Sequence, residues 1–238
     1  MDEANQIFSY LPLRYKNDGE AEYVQYLWKA FESNYENEQY QFAFMAYHML
    51  FMSFVYFTIW KIKSIHPDDY RKISFGFKDC FETANNPFSF CEENERTILN
   101  FFRFWGIGKE KIGNYKKLID KRNNIAHSNG NIFFKSEMSI DDKIDDILSF
   151  CKEIHQETKS TIEQAYKQFL LDNPSVDESP YMGLAELLNE EFIHKHYISE
   201  ADMTFCVQYD VMKLVSEDNF GFFQQIHNEI IELFKSEN

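Results

Sequence analysis

The sequence predicts an all-α protein: a bundle of long central helices followed by a three-helix C-terminal extension. Two observations carry that expectation. Helix breakers are scarce, with 8 Gly and 5 Pro in 238 residues. Apolar residues recur at three- and four-residue spacing over long stretches, as one face of a helix requires. The chain is long enough for a substantial core, and 25 Phe and 14 Tyr supply bulky side chains to fill it.

After an irregular lead-in through Pro12 to Gly19, the spacing predicts a first helix from about Ala21 to Asn34, with Val24, Leu27, Ala30 and Phe31 inward. A second helix, about Glu38 to Ile65, is apolar on nearly every side. Its stretch from Gln41 to Trp60 has the length to cross a bilayer, roughly 20 residues. Gln41, His48, Ser53 and Thr58 dilute it, it is rich in tyrosine, and no second such segment exists. It therefore reads as the central helix of a bundle or a dimer interface, with no membrane involved. His48, inside this run, reads first as a satisfied core histidine.

Asp68 to Phe90 reads as a short helix and a loop, with turn signals at Gly76 and Asn85-Asn86-Pro87. A third helix is expected over Glu92 to Trp105, ended by Gly106 and Gly108. The next helix spans about Lys111 to His127 and is followed by a turn and the apolar run Ile132-Phe133-Phe134. From Ser139 an unbroken stripe (Ile140, Ile144, Ile147, Cys151, Ile154, Thr158, Ile162, Tyr166, Phe169) predicts the longest helix, reaching Leu171. Ser139 to Asp142 resembles a capping box at its start. The short acidic stretch Ser175 to Ser179, closed by Pro180, is the expected boundary. It separates a bundle over 1–174 from an extension over 175–238 that packs on it. Three helices are expected there, about Pro180 to Ile193, Ser199 to Val215 and Asp218 to Lys235.

The formal charge of −15 argues against a general nucleic-acid binder. Locally the sign reverses: Lys109, Lys111, Lys116, Lys117, Lys121 and Arg122 stand against Glu110 and Asp120, giving +4 in this stretch. The structural reading of such a run is a solvated helix face; the functional reading is a small anion-binding spot. Cys80, Cys91, Cys151 and Cys206 are too widely spaced for a zinc-type pair. His194-Lys195-His196 has no further Cys or His nearby and reads as surface. The N-terminal residues show no basic leader pattern, and a reducing cytoplasm is the expected compartment.

One stretch suggests chemistry: Lys121-Arg122-Asn123-Asn124-Ile125-Ala126-His127. Helical spacing places Arg122 on the stripe that carries Ile112, Tyr115, Leu118 and Ile119, where a permanent charge needs a partner. His127 follows where Ser128-Asn129-Gly130 signals a helix end. Five residues apart on an uninterrupted helix, the two side chains diverge by about 140°, at roughly 100° per residue. They converge only if the backbone breaks between them or a second copy of the chain supplies the other half.

Arg122-Asn123 with Ala126-His127, set in an all-helical chain between a long aromatic helix and a long amphipathic one, resembles the Arg-x4-6-His motif of the HEPN superfamily. The resemblance covers Glu38 to Leu171. It implies a HEPN-like helical bundle, homodimeric, acting as a metal-independent, cofactor-free endoribonuclease. The expected chemistry is attack of the RNA 2′-hydroxyl on the adjacent phosphate, leaving a 2′,3′-cyclic phosphate. The resemblance assigns His127 as acid or base and Arg122 as the cation at the phosphorane. Asn123 would orient the phosphate or the imidazole. Lys116, Lys117, Lys121 and Asn124 are the expected substrate contacts, and His48 becomes a second-rank candidate because HEPN sites lie near this helix. A toxin–antitoxin or antiphage role, with an antitoxin or defence-system partner, is the expected setting. Some HEPN toxins carry a tyrosine two positions after the histidine, the target of nucleotidyl modification; here that position is Asn129, so the resemblance does not extend to that regulation. The competing reading is a catalytically silent HEPN-like interaction or dimerisation module.

Overall fold

The computed structural model describes residues 3–127, 130–173 and 181–236. It is an all-α helical bundle, and its one β feature among the described residues is an isolated antiparallel bridge between Pro12 and Ser199.

A short 3-10 turn, Ala4–Tyr10, leads into α1 (Asp18–Glu36). Asn17 caps α1, its side chain accepting the Glu20 N–H at 3.0 Å. Val24, Leu27, Phe31 and Tyr35 face inward, which is the stripe that the spacing predicts with one turn added. They pack on α2 (Tyr40–Ile65), the axis of the bundle. Helices and turns surround α2, so 83% of its most apolar window is buried in protein. Three of its polar side chains bond to backbone carbonyls. Ser53 and Thr58 donate to the carbonyls of Met49 and Phe54 at 2.9 and 2.8 Å, and Tyr47 donates to Ala4 O at 2.8 Å.

Two short helices follow, α3 (Pro67–Ser74) and α4 (Cys80–Thr83), where the spacing predicted one helix and a loop. The helix expected over Glu92 to Trp105 is divided into α5 (Glu95–Ile98), capped by Asn94, and a 3-10 stretch, Leu99–Trp105. Gly106 ends that stretch with φ 90, a left-handed conformation that suits a residue without Cβ. Gly108 is the N-cap of α6 (Lys109–Ala126).

The long helix beyond it is two. α7 (Glu137–Glu157) begins two residues before Ser139, and Ser136 rather than Ser139 occupies its N-cap, without a side-chain cap bond. At Thr158 α7 ends, with φ −90 and ψ 2, and α8 (Lys159–Asp172) starts at the next residue. The Thr158 hydroxyl donates to His155 O at 2.9 Å, a local bond that competes with helix continuation. The apolar stripe stays in phase across the break, so periodicity did not reveal it.

The break also divides the core. One hydrophobic cluster runs from Ala4 to Ile154 in sequence and takes in Tyr197, and a second runs from Ile162 to Ile230. α8 thus packs with the C-terminal helices, whereas the sequence places the division near Ser175, which lies outside the described residues. Those helices are α9 (Leu184–Leu188), continuing into a π turn over Asn189–His194, α10 (Glu200–Val207) and α11 (Phe220–Ser236). Asp210 interrupts the helix expected over Ser199 to Val215 by capping a separate 3-10 turn, Val211–Leu214.

Several contacts fasten the second cluster to the first, among them a buried tyrosine, a backbone bond and an ion pair. Tyr197 enters the first core, its ring 5.1 Å from Phe57 and its hydroxyl donating to the Glu20 carboxylate at 2.9 and 3.0 Å. Leu13 N–H donates to Ile198 O at 2.9 Å. Lys61 of α2 forms a buried ion pair with Asp202 of α10.

Candidate functional site

α6 lies against α2 and the 3-10 stretch before it, burying Ile112, Tyr115, Leu118 and Ile119. Arg122 comes one turn further on, where the buried stripe reaches the surface, and its side chain is 26% exposed. Its partner is Glu95, the first residue of α5, whose side chain is 20% exposed. Arg122 Nη2 donates to Glu95 Oε1, and Arg122 Nη1 donates to Asn123 Oδ1 at 2.8 Å. Asn123 therefore fixes the guanidinium.

Behind Glu95 stands His48 of α2, with no exposed surface. Its Nε2 is 3.2 Å from Glu95 Oε2, while Nδ1 is buried without a partner. Burial alone would raise the Glu95 carboxyl. The His48 hydrogen bond and charge, together with Arg122, outweigh it and hold the group below its ordinary value. Sequence reasoning missed Glu95. The demand of Arg122 for an acidic partner was legible, but no spacing linked it to a carboxylate 27 residues earlier.

α6 stays helical through Ala126, and His127 follows in extended conformation, with φ −86 and ψ 136 and its N–H bonded to Asn123 O at 3.1 Å. His127 is exposed. Among the described residues, neither a hydrogen bond nor an ion pair engages its ring, so one protomer does not join it to Arg122. Ser128 and Asn129, the rest of the helix-end signal, lie outside the described residues.

The candidate substrate contacts divide between two faces. Lys117 and Lys121 line a groove of about 370 Å³ between α6 and α7, together with Asn114, Lys143 and Phe150. Lys121 is spread over the rings of Phe133 and Phe134, at 5.2 and 4.8 Å. Phe134 is buried and packs 5.1 Å from Phe44, so the apolar run after α6 does dock on the bundle, while Ile132 stays exposed. Lys116 turns the other way and donates to Asn100 Oδ1 at 2.7 Å. Burial first, and then the charges of Arg96 and Arg103, hold its ammonium below the ordinary lysine value. Asn124 is exposed on the last turn.

The two histidines near the C-terminal unit also part company. His194 pairs with Glu190 at 3.2 Å, and His196 Nδ1 lies 3.2 Å from Ser64 Oγ. Burial, then the charges of Lys195 and Lys16, lower His196 to about 4. Among the described residues, no three His, Cys, Asp or Glu side chains converge as metal ligands. Compared with known proteins, the chain matches no family model, no curated protein and no solved structure.

Proposed function

We propose that the protein is a HEPN-like, metal-independent endoribonuclease built on Arg122 and His127, working as a homodimer. The observation that carries the reading is the state of Arg122. Its guanidinium is held at the protein surface by Glu95 and Asn123, on the helix that ends at His127. Two donated bonds leave three of its five N–H groups for phosphate oxygens.

In this reaction the RNA 2′-oxygen attacks phosphorus, the O2′–P bond forms and the P–O5′ bond breaks. Arg122 stabilises the charge that gathers on the non-bridging oxygens. His127, exposed and unengaged among the described residues, serves the leaving oxygen. A two-fold dimer that faces two copies of α6 supplies two such histidines to one cleft. Toxin–antitoxin or antiphage action is the setting this reading favours.

The test is RNA cleavage in excess chelator by wild type, Arg122→Ala and His127→Ala, each confirmed folded. Cleavage by wild type alone, ending in cyclic phosphate, supports the reading. Equal cleavage by all three removes Arg122 and His127 from it.

A second reading has its own observation. Glu95 already neutralises Arg122, and the chain carries −15, so a silent interaction module fits the electrostatics. That reading expects no cleavage by any of the three proteins, with dimerisation or partner binding unaffected by His127→Ala.

A further inference from the structure

We infer that Glu95 is the general base of this site, taking the proton of the RNA 2′-hydroxyl while Arg122 holds the phosphate; the inference rests on the ribonuclease reading above. In-line displacement puts the attacking and leaving oxygens on opposite sides of phosphorus, so the group that accepts one proton cannot also deliver the other. The exposed His127, whose ring is unengaged among the described residues, suits the leaving side. Glu95 is the one carboxylate bonded to Arg122 among the described residues.

Position supports the assignment. The 2′-oxygen attacks the same phosphorus whose non-bridging oxygens the guanidinium grips. A carboxylate in hydrogen-bond contact with that guanidinium therefore lies within reach of the nucleophile. Among the described residues each Glu95 oxygen has one partner, Arg122 on Oε1 and His48 on Oε2, which leaves each a lone pair for a further proton. The side chain is 20% exposed, enough for a ligand to touch. Its backbone is fixed by the Asn94 cap, which accepts Arg96 N–H at 2.9 Å.

Electrostatics make the carboxylate a better base once substrate is bound. In the free protein His48 and Arg122 stabilise its ionised form. A bound phosphate brings a negative charge beside it and takes up part of the Arg122 charge, and both changes raise its proton affinity. His48 is a positioning residue: buried, with one N–H aimed at Glu95, it keeps the carboxylate oriented and ionised. The proton therefore leaves O2′ for a Glu95 oxygen as O2′–P forms. P–O5′ breaks as the His127 imidazolium gives its proton to O5′. The products are a 2′,3′-cyclic phosphate and a 5′-hydroxyl, and water restores Glu95 and His127 to their starting protonation.

The experiment compares wild type with Glu95→Gln and Glu95→Asp on a short RNA in excess chelator across pH. Affinity is measured separately with the same oligonucleotide made 2′-deoxy, which cannot react. Glutamine keeps an acceptor for Arg122 but cannot take the proton. Expected is a loss of about 10²- to 10⁴-fold in the cleavage rate of Glu95→Gln, with deoxy-oligonucleotide affinity within about threefold of wild type. Glu95→Asp keeps part of the rate. The wild-type profile gives a second measurement that needs no variant. With a carboxylate base, activity persists on the acid side through about pH 5, whereas a histidine base would lose it below about pH 6.5. A Glu95→Gln rate within threefold of wild type, or above it, overturns the inference, and so does a wild-type acid limb in the histidine range. If wild type cleaves and Arg122→Ala and His127→Ala do not, those results sink Glu95 alone. If wild type itself does not cleave, the ribonuclease reading and the base assignment fall together.

Discussion

Arg122 donates from both terminal nitrogens, to Glu95 from Nη2 and to Asn123 from Nη1 at 2.8 Å, so its guanidinium plane is fixed by two neighbours on two helices. This pair ties α6 to α5. Removing one partner leaves the other charge largely out of water, since Arg122 and Glu95 are 26% and 20% exposed. Breaking a fully buried pair from one side costs about 3–5 kcal/mol. With this residual exposure, Arg122→Ala and Glu95→Ala are each expected to cost about 1–3 kcal/mol. The double variant should lose less than the sum of the two. Urea denaturation of all four proteins checks this, and strict additivity would mean the pair carries no coupling.

The same pair has a pH signature. Glu95 is held below its ordinary value in the folded state, so its protonation opposes folding. Its stabilising contribution is complete above the unfolded glutamate value, about 4.3. It is lost as pH falls from there through the lowered folded value. Glu95→Gln has no such titration. The stability difference between wild type and Glu95→Gln should therefore hold above about pH 5 and shrink from there toward about pH 3. A difference that stays constant over that window would show that Glu95 is not held ionised by its neighbours.

The fold class was legible because it depends on properties that a linear pattern records. Phe31, Phe44 and Ile147 are buried as three- and four-residue spacing demands. Thr158 shows the limit: the stripe runs in phase through it, yet a hydroxyl bond to His155 O ends the helix and hands α8 to a second core. Much the same holds at the site. That Arg122 needs an acidic neighbour follows from the cost of a desolvated guanidinium. That the neighbour is Glu95, backed by His48, follows only from how α2, α5 and α6 meet. His48 was recognised as a core histidine and a secondary candidate; the carboxylate that connects it to Arg122 was not.

The four cysteines are free and sort by burial: Cys80, Cys151 and Cys206 are enclosed and Cys91 is exposed. Burial pushes the Cys80, Cys151 and Cys206 thiols up, which keeps them in the unreactive thiol form. Native protein is expected to react with a thiol reagent at Cys91 alone on the minute timescale, and at all four sites in denaturant. Fast modification of a second site in the native protein would show that one of the cores opens readily.

Asp202 is the strongest single test of how the C-terminal helices are attached. It is 1% exposed and serves three partners. With Ser199 it forms the capping box of α10, at 2.9 and 3.1 Å. Its Oδ2 pairs with Lys61 of α2, and its Oδ1 lies 3.3 Å from His155 Nε2 of α7, without hydrogen-bond alignment. Burial alone would raise its carboxyl, but Lys61 and then His155 hold it well below the usual carboxylate range. Asp202→Ala removes the bond its carboxylate accepts from Ser199 N–H, worth about 1 kcal/mol, and leaves a buried ammonium unpaired, so a total loss of about 4–6 kcal/mol is expected. Asp202→Asn keeps much of the cap and should fall between wild type and alanine. The folded value lies below the unfolded one, so the contribution is present above about pH 4 and decays as pH falls further. The C-terminal unit should therefore loosen first in acid. Hydrogen exchange at about pH 3 checks this: α8, α10 and α11 should lose protection before α1 and α2, and simultaneous loss would mean that Asp202 does not govern the attachment.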